Sequence, residues 1–464
     1  MVRVALLLLL AGCQQIFGLD DPSLVDATGA TVNGSYKVMW LENGSNGIVR
    51  NERAYTTDEA SASVRLDDGT ERDVELRANG SFGFATAYEE QPYVLTLRNP
   101  YGALAIHHSA TNLDILDRVA GHLDRKPVPT DGTVTLVIDN PAPPLALEMV
   151  QTTGLWMSGA LTSASLDWNQ LQSLSGPRGL LESSKHDGLY YAGYMDTGEY
   201  MQLMYWGGQR DVDVVPPTTL PIHVQNLFGT SCAELVLSLA DEQKRIRRYA
   251  PASSASESQE WQVYGALHDE LAWALSHPLA FGISTTPSNR TVLVNYANPL
   301  DLPVKASARV TASRVIDGVS LDVGSVSFTS VTQTTCGTGI PLPALDVAIP
   351  MNMHFAGSDL SADRTALTFS TDDPVATWDV SPGRVDYYVV QLFEVVGSQL
   401  VSRYSAVTGA MSFAVPRDLL LTGHTYVLSV LVSAGIPGAK TGDFRTVTMP
   451  LATGYAMSGF ITVQ

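Results

Sequence analysis

Apolar and polar residues alternate through much of this chain, and a period of two predicts strands rather than helices. Val32-Asn-Gly-Ser-Tyr-Lys-Val-Met-Trp40 alternates, and Ala62-Ser-Val-Arg-Leu66 does so again. Asp67-Asp68-Gly69-Thr70 supplies a turn before Val74-Glu-Leu-Arg77. Asn79-Gly80 then leads into Ser81-Phe82-Gly83-Phe84, and Pro92 precedes Tyr93-Val-Leu-Thr-Leu97. Alternating runs joined by Asp-Gly and Asn-Gly turns mark hairpins. The last hundred or so residues read the same way. Ala376-Thr-Trp378-Asp-Val380 alternates and Ser381-Pro382-Gly383 turns. Tyr387 to Phe393, Ser402 to Ser405, Met411 to Val415 and Tyr426 to Val432 follow at sandwich spacing, and Tyr455 to Val463 reads as a closing strand.

The middle is less periodic. Asn112 to Leu123 carries apolar residues at helical spacing and predicts one short helix. Thr133 to Ile138 and Thr291 to Val294 read as strands, each followed by Asn-Pro (Asn140-Pro141, Asn298-Pro299). Two instances do not make a repeat. Cys232 to Arg248 fits either a helix or a pair of strands, and Ser253 to Ser258 is a polar loop. Aromatic residues concentrate from Trp156 and Trp168 through Tyr190, Tyr191, Tyr194, Tyr200, Tyr205 and Trp206. On a strand, Tyr190, Ala192 and Tyr194 share one face and Tyr191, Gly193 and Met195 the other. Tyr190, Tyr191, Tyr194, Tyr205 and Trp206 therefore either fill a β core, the favoured reading, or expose rings on which sugars stack.

Composition narrows the function classes. The chain has 464 residues, which suggests two to four domains. A net charge of −19 has the wrong sign for binding nucleic acid or anionic lipid. The one basic cluster, Lys244, Arg245, Arg247 and Arg248, lies beside Asp241 and Glu242 and reads as a solvated face. Catalytic signatures are missing. There is no Gly-x-Ser-x-Gly and no His-Glu-x-x-His. His268 and His277 would point to opposite sides of either a helix or a strand, and the side chains of His107 and His108 diverge on a strand. Glu89-Glu90 and Asp372-Asp373 are neighbours in predicted turns. Gly357-Ser358-Asp359 sits on no predicted helix, and no segment fits an EF-hand loop. The expectation is no catalytic residue, no metal and no cofactor.

The first thirteen residues carry an address. Arg3 precedes a short apolar run from Val4 to Ala11, too short for the roughly 20 apolar residues of a membrane span. Leu10-Ala11-Gly12-Cys13 resembles the lipobox of bacterial lipoprotein signals. That resemblance implies a signal peptide over 1–12, lipid on Cys13, and partnership with the membrane through that lipid. Gln14, in place of Asp, implies the outer membrane under the Gram-negative sorting rule. Residues 13–30 read as a tether, and Cys-Gln-Gln-Ile-Phe-Gly-Leu-Asp resembles the start of many myxobacterial lipoproteins. With Cys13 lipidated, Cys232 and Cys336 remain, either as a disulfide suited to an oxidising compartment or as two buried thiols.

Two module resemblances complete the expected architecture. Residues 31–99, with NGSFGFATAYEEQPYVLTL at their end, resemble prealbumin-like β-sandwiches. Residues 357–464 resemble a fibronectin type III domain, with Trp378 on the second strand, Tyr387 to Val389 on the third, and Leu420-Leu-Thr-Gly-His-Thr-Tyr426 entering the sixth. A β-rich middle spans 100–356. The expectation is a mainly β, multidomain rod of sandwiches with few short helices, anchored in the cell envelope. Its expected role is non-catalytic display of β surfaces to an envelope protein or a glycan. The rival readings are a polysaccharide hydrolase with its site in the middle region, which needs two carboxylates roughly 5–10 Å apart, and a purely structural envelope component.

Overall fold

The structure is a computed structural model. It describes residues 30–464 other than 46, 101, 125, 127–132, 140–144, 154–157, 162–164, 168–178, 252–255, 267, 269–276, 285–287, 332–336, 344–345 and 370–371. The expected signal peptide, Cys13, almost all of the expected tether, Trp156, Trp168 and Cys336 lie outside the described residues. The chain is mainly β and folds as several packed sheets, with one α-helix, α1 (Leu239–Arg247), among the described residues.

The N-terminal unit is a two-sheet sandwich. Its long strand Thr31–Gly44 pairs antiparallel with Gly47–Ala54 and Ser81–Ala85 on one edge, and parallel with Asn112–Ala120 on the other. The facing sheet runs Glu71–Val74, Ser61–Leu66, Tyr93–Asn99, Gly102–His108. The alternating apolar residues meet between them, with Val38, Val64, Phe82, Leu95 and Leu113 all buried. The helix expected over 112–123 is instead the strand Asn112–Ala120. Leu113, Ile115 and Val119 enter the N-terminal core, whereas Leu116 turns the other way onto Met39, Leu41 and Leu302. Burial on both faces breaks the simple alternation and imitates helical spacing. These two strands carry the N-terminal unit past Asn99 to Ala120.

The middle unit is built on an antiparallel ladder. Its order is Leu147–Thr153, Gly188–Asp196, Met201–Arg210, His277–Ser284, Ser256–Gly265, Val304–Ile316, Val319–Ser330. A second sheet of Asn289–Tyr296, Ser231–Ser238 and Ile340–Leu342 covers one face. The segment from Cys232 to Arg248 is half of each alternative, a strand to Ser238 and then α1. Asp241 and Glu242 stand in the first turn of α1, and Lys244, Arg245 and Arg247 in its last, the arrangement the helix dipole favours.

The C-terminal unit packs the sheet Ser358–Asp359, Pro350–Phe355, Val375–Val380, Ser412–Ala414 against Gln399–Thr408, Tyr387–Val396, Thr425–Ala434, Leu451–Met457. Its first strand begins ahead of residue 357. Trp378 is buried with its ring edge-on to Tyr388 at 5.4 Å. The Tyr426 hydroxyl accepts the Leu421 N–H at 2.9 Å, tying the chain down where it enters its strand.

The units do not follow one another as a rod. Leu451–Met457 pairs with Thr425–Ala434 on one side and with Val319–Ser330 of the middle unit on the other, so one ladder crosses from unit to unit. Ala406 to Thr408 pair in parallel with Ala105 to His107, which joins the C-terminal unit to the N-terminal one. Leu302 of the middle unit packs on Met39 and Leu41 of the first. Long-range strand pairing closes the three units on one another, a result that local alternation does not encode.

Candidate functional site

The ladder that crosses from the middle to the C-terminal unit is twisted, and its outer face holds a cleft of about 490 Å³. Alternation along each strand decides what lines it. Asp322, Val326 and Phe328 come from Val319–Ser330; Thr453, Tyr455 and Met457 come from Leu451–Met457. Ser429, Leu431 and Ser433 come from Thr425–Ala434, and Tyr387 and Gln391 from Tyr387–Val396. Arg309 stands at one end and Ile436 at the other.

The Arg309 end is ordered by side-chain contacts. Its Nε donates to the Tyr455 hydroxyl at 3.1 Å, and the Thr311 hydroxyl lies 2.8 Å from the same oxygen. The guanidinium carbon is 5.8 Å from the Tyr455 ring centroid, and Asp322 approaches the guanidinium at 3.8 Å. Gly324 makes room for this arrangement, since a Cβ there would stand 2.7 Å from the Tyr455 hydroxyl. At the opposite end Tyr387 meets the Phe444 ring at 5.8 Å, and burial pushes its phenol up. Between the two ends the lining mixes apolar side chains with hydroxyls and one amide. Asp322 is the one carboxylate among the described lining residues. Rings with a few placed polar groups suit the holding of a ligand.

The residues singled out in the sequence fall elsewhere. Tyr190, Tyr191, Tyr194 and Trp206 are buried and Tyr205 is half-buried, so they form no exposed stacking surface. Both faces of Gly188–Asp196 are covered. Tyr190 and Tyr194 enter one core while Leu189 and Tyr191 enter a second. Tyr190 stacks on Trp206 at 4.9 Å, and the Tyr194 hydroxyl donates to the Pro278 carbonyl while accepting from Gln151. Cys232 is disulfide-bonded; Cys336 lies outside the described residues. The basic cluster is largely neutralised by neighbours: Lys244 pairs with Asp241, Arg245 with Glu242 and Arg247 with Glu257.

The carboxylate pairs have structural roles or face water. Asp373 accepts from Arg65 and from the Arg417 N–H, and Glu89 and Glu90 are exposed at a turn. Asp359 caps the Ser361 N–H, which with the Ser361 hydroxyl holds its carboxyl low. His107 and His108 are half-buried where the first and last units meet. His107 Nδ1 is 3.1 Å from Thr408 Oγ1, and His108 Nε2 is 3.0 Å from the Ala439 carbonyl oxygen. Sequence reasoning missed Arg309, Asp322, Tyr387 and Tyr455. They are separated by up to 146 positions and share no motif, so only strand pairing collects them.

No family model matches the chain, and no curated protein matches it. Among solved structures, the chain is similar to a tetra-tandem repeat in the extending region of a large adhesion protein. The identity is 12%, over 93% of this chain and 99% of that one, with a TM-score of 0.13. A second is from a 1.5-MDa bacterial ice-binding adhesin, described for host cell surface retention. It is 8% identical over 94% of this chain and 93% of its own, with a TM-score of 0.15. At such TM-scores these likenesses carry no argument about fold or role.

Proposed function

We propose that this is a non-catalytic cell-envelope protein, held by lipid on Cys13, that binds a glycan in the cleft between its middle and C-terminal units. The observation that supports the ligand reading is the lining. Tyr455, Tyr387 and Phe328 offer ring surface for the C–H faces of sugars, and Arg309, Asp322 and Gln391 offer planar groups for hydroxyls. The mutual pairing of Arg309 and Asp322 leaves no unbalanced charge between them, which suits a neutral sugar. Among the described residues the lining holds one carboxylate, Asp322, and not the acid pair of ordinary glycoside hydrolysis. The anchor reading is supported by Leu10-Ala11-Gly12-Cys13 after a short apolar run.

A panel of neutral oligosaccharides and extended peptides, applied to the full chain, tests the ligand. Binding of an oligosaccharide that falls at least about tenfold in Tyr455→Ala is expected, since aromatic contacts of this kind contribute on the order of 1 kcal/mol beyond buried area. Peptide binding alone would replace the glycan reading with a protein partner. Release of shortened sugar would refute the non-catalytic one. Cys13→Ser should abolish partitioning with membranes; retained partitioning would refute the anchor.

A further inference from the structure

The N-terminal unit meets the C-terminal unit along a seam with two imidazoles in it. Two backbone joints hold the seam. One is a three-pair ladder from Ala105 to His107. The other is a bridge at Asp114, whose N–H donates to the Gly442 carbonyl at 2.8 Å and whose carbonyl accepts the Phe444 N–H at 2.9 Å, beside Arg118 on the Phe444 and Arg445 carbonyls. His107 and His108 lie on its N-terminal side, and each reaches across. His107 Nδ1 approaches Thr408 Oγ1 at 3.1 Å, and its ring stands edge-on to Phe413 at 5.9 Å. His108 Nε2 donates to the Ala439 carbonyl at 3.0 Å, and its ring stands edge-on to Phe444 at 6.3 Å.

The partners of His108 define its protonation state. Its Nδ1 accepts the N–H groups of Ser109 at 3.0 Å and Ala110 at 2.8 Å. Nδ1 is therefore the bare nitrogen and Nε2 carries the proton. A charged imidazole donates from both nitrogens. A proton on Nδ1 would face two N–H donors and meet no acceptor. The ring can take that proton only by turning out, which breaks its bond to Ala439 and its contact with Phe444.

The groups around the imidazoles do not offset this. Tyr93 lies opposite His108 on Tyr93–Asn99, with its hydroxyl committed to the Ala110 carbonyl. Thr408 lies opposite His107. On the 437–445 stretch Lys440 is exposed, and Arg445 pairs with Asp443 and with Asp114. Among the described residues no carboxylate is paired with either ring. Burial pushes both imidazoles below their ordinary value of 6.5, with His107 further lowered by His108.

Phe444 connects this seam to the cleft. Its ring touches His108 on one side and Tyr387 on the other, and Tyr387 lines the cleft. We propose that the seam is an acid-loosened latch on the cleft: protonating His108, with His107 beside it, turns its ring away from Ala439 and Phe444, which loosens the 437–444 segment against the Asp114 bonds that still hold it and removes one support of the Phe444 ring beside Tyr387. The consequence for binding rests on the cleft being the ligand site; the latch itself does not.

Hydrogen exchange of the full chain without ligand, corrected for intrinsic rates, tests it at about pH 7.5 and about pH 5. Protection over 102–108, 406–408, 437–444 and 387–391 is expected to fall about tenfold in acid in the wild type. In His107→Asn/His108→Asn it should stay level, because Asn keeps an acceptor near the Nδ1 position and does not titrate. The single variant His108→Asn and the wild-type comparison decide the matter if the double variant fails to fold. Unchanged wild-type protection would overturn the latch, as would an equal fall in the His108→Asn variant. A seam that opens while 387–391 keep their protection would overturn its link to the cleft. No ligand enters these measurements, so their outcome is separate from whether a glycan binds.

Discussion

Gly454→Ala is the sharpest test of how the middle and C-terminal units are joined. Gly454 sits in Leu451–Met457, the strand that both units share. A Cβ at this position would stand 2.0 Å from the Ala348 carbonyl oxygen, 3.0 Å from its carbon and 3.3 Å from Ile349 Cα. Non-bonded atoms favour separations near 3.5 Å, so the two backbones must part by about 1 Å or more. The obstacle is main chain, so rotating a side chain does not relieve it. It is also pinned: the Ser381 N–H donates to the Ile349 carbonyl at 2.9 Å, and the Ile349 N–H to Ser381 Oγ at 2.9 Å. Overpacking costs about 1–3 kcal/mol and a strained or lost buried hydrogen bond about 1 kcal/mol more, so about 2–4 kcal/mol is expected. Gly409→Ala is the control. Nothing lies within 4 Å of a Cβ there, and its backbone is not left-handed. That change should lie within about 1 kcal/mol of neutral, on the stabilising side. Urea unfolding followed by tryptophan fluorescence reads both. Equal midpoints for the two variants would refute the close approach and the account of the joint built on it.

Three other outcomes are expected. Tyr426→Phe should cost about 1 kcal/mol, since it removes only the acceptor of the Leu421 N–H, whereas Tyr426→Ala should cost about 3–5 kcal/mol through the lost core ring; a Tyr426→Phe urea midpoint equal to that of the wild type would deny the hydroxyl its role. Glu242→Ala should cost toward 3 kcal/mol, because Glu242 is fully buried between Arg245 and Ser325 while Arg245 keeps the Val347 carbonyl; a neutral result by thermal denaturation would refute it. Burial pushes the fully buried His277 down to about 3 from an ordinary 6.5, so the unfolded chain binds the proton more readily. Its contribution to stability is complete above pH 6.5 and is lost as pH falls toward about 3. Urea midpoints should drop through that window and drop less in His277→Asn; parallel pH profiles would contradict the assignment.

Several parts of the architecture were open to reading because their physics is local. Asp67-Asp68-Gly69 turns between Ser61–Leu66 and Glu71–Val74, which pair as expected. Asn79-Gly80 also turns, but Ser81–Ala85 beyond it pairs with Thr31–Gly44 in the facing sheet, so the expected hairpin does not form there, and the preceding strand ends at Val74. Trp378 and Tyr426 could be placed because their large side chains stand at strand positions facing a core. The misreadings share one cause. In Asn112–Ala120, Leu116 is buried on the side that otherwise holds Asn112, Asp114 and Arg118, while Asp117 stands on the core side and accepts from Tyr36 and Tyr55. Gly188–Asp196 is covered on both faces, so neither shows a clean period of two. In the first this imitated a helix, and in the second it left a surface of Tyr190, Tyr191, Tyr194 and Trp206 as an option that two cores remove.

The amino-acid sequence by itself determined that this chain makes strands, that one hairpin turns at Asp67-Asp68-Gly69, and that the body is acidic. Each depends on residues close together along the chain: alternation, turn chemistry, net charge. Only the tertiary structure decided that the strand Leu451–Met457 serves two units, that the first unit docks on the last, and that Arg309, Tyr387 and Tyr455 share a cleft. A strand edge accepts any partner whose register buries its apolar side, and backbone hydrogen bonds carry no residue identity. Which edges meet is settled by burial summed over the whole chain, and the cleft exists only where they met.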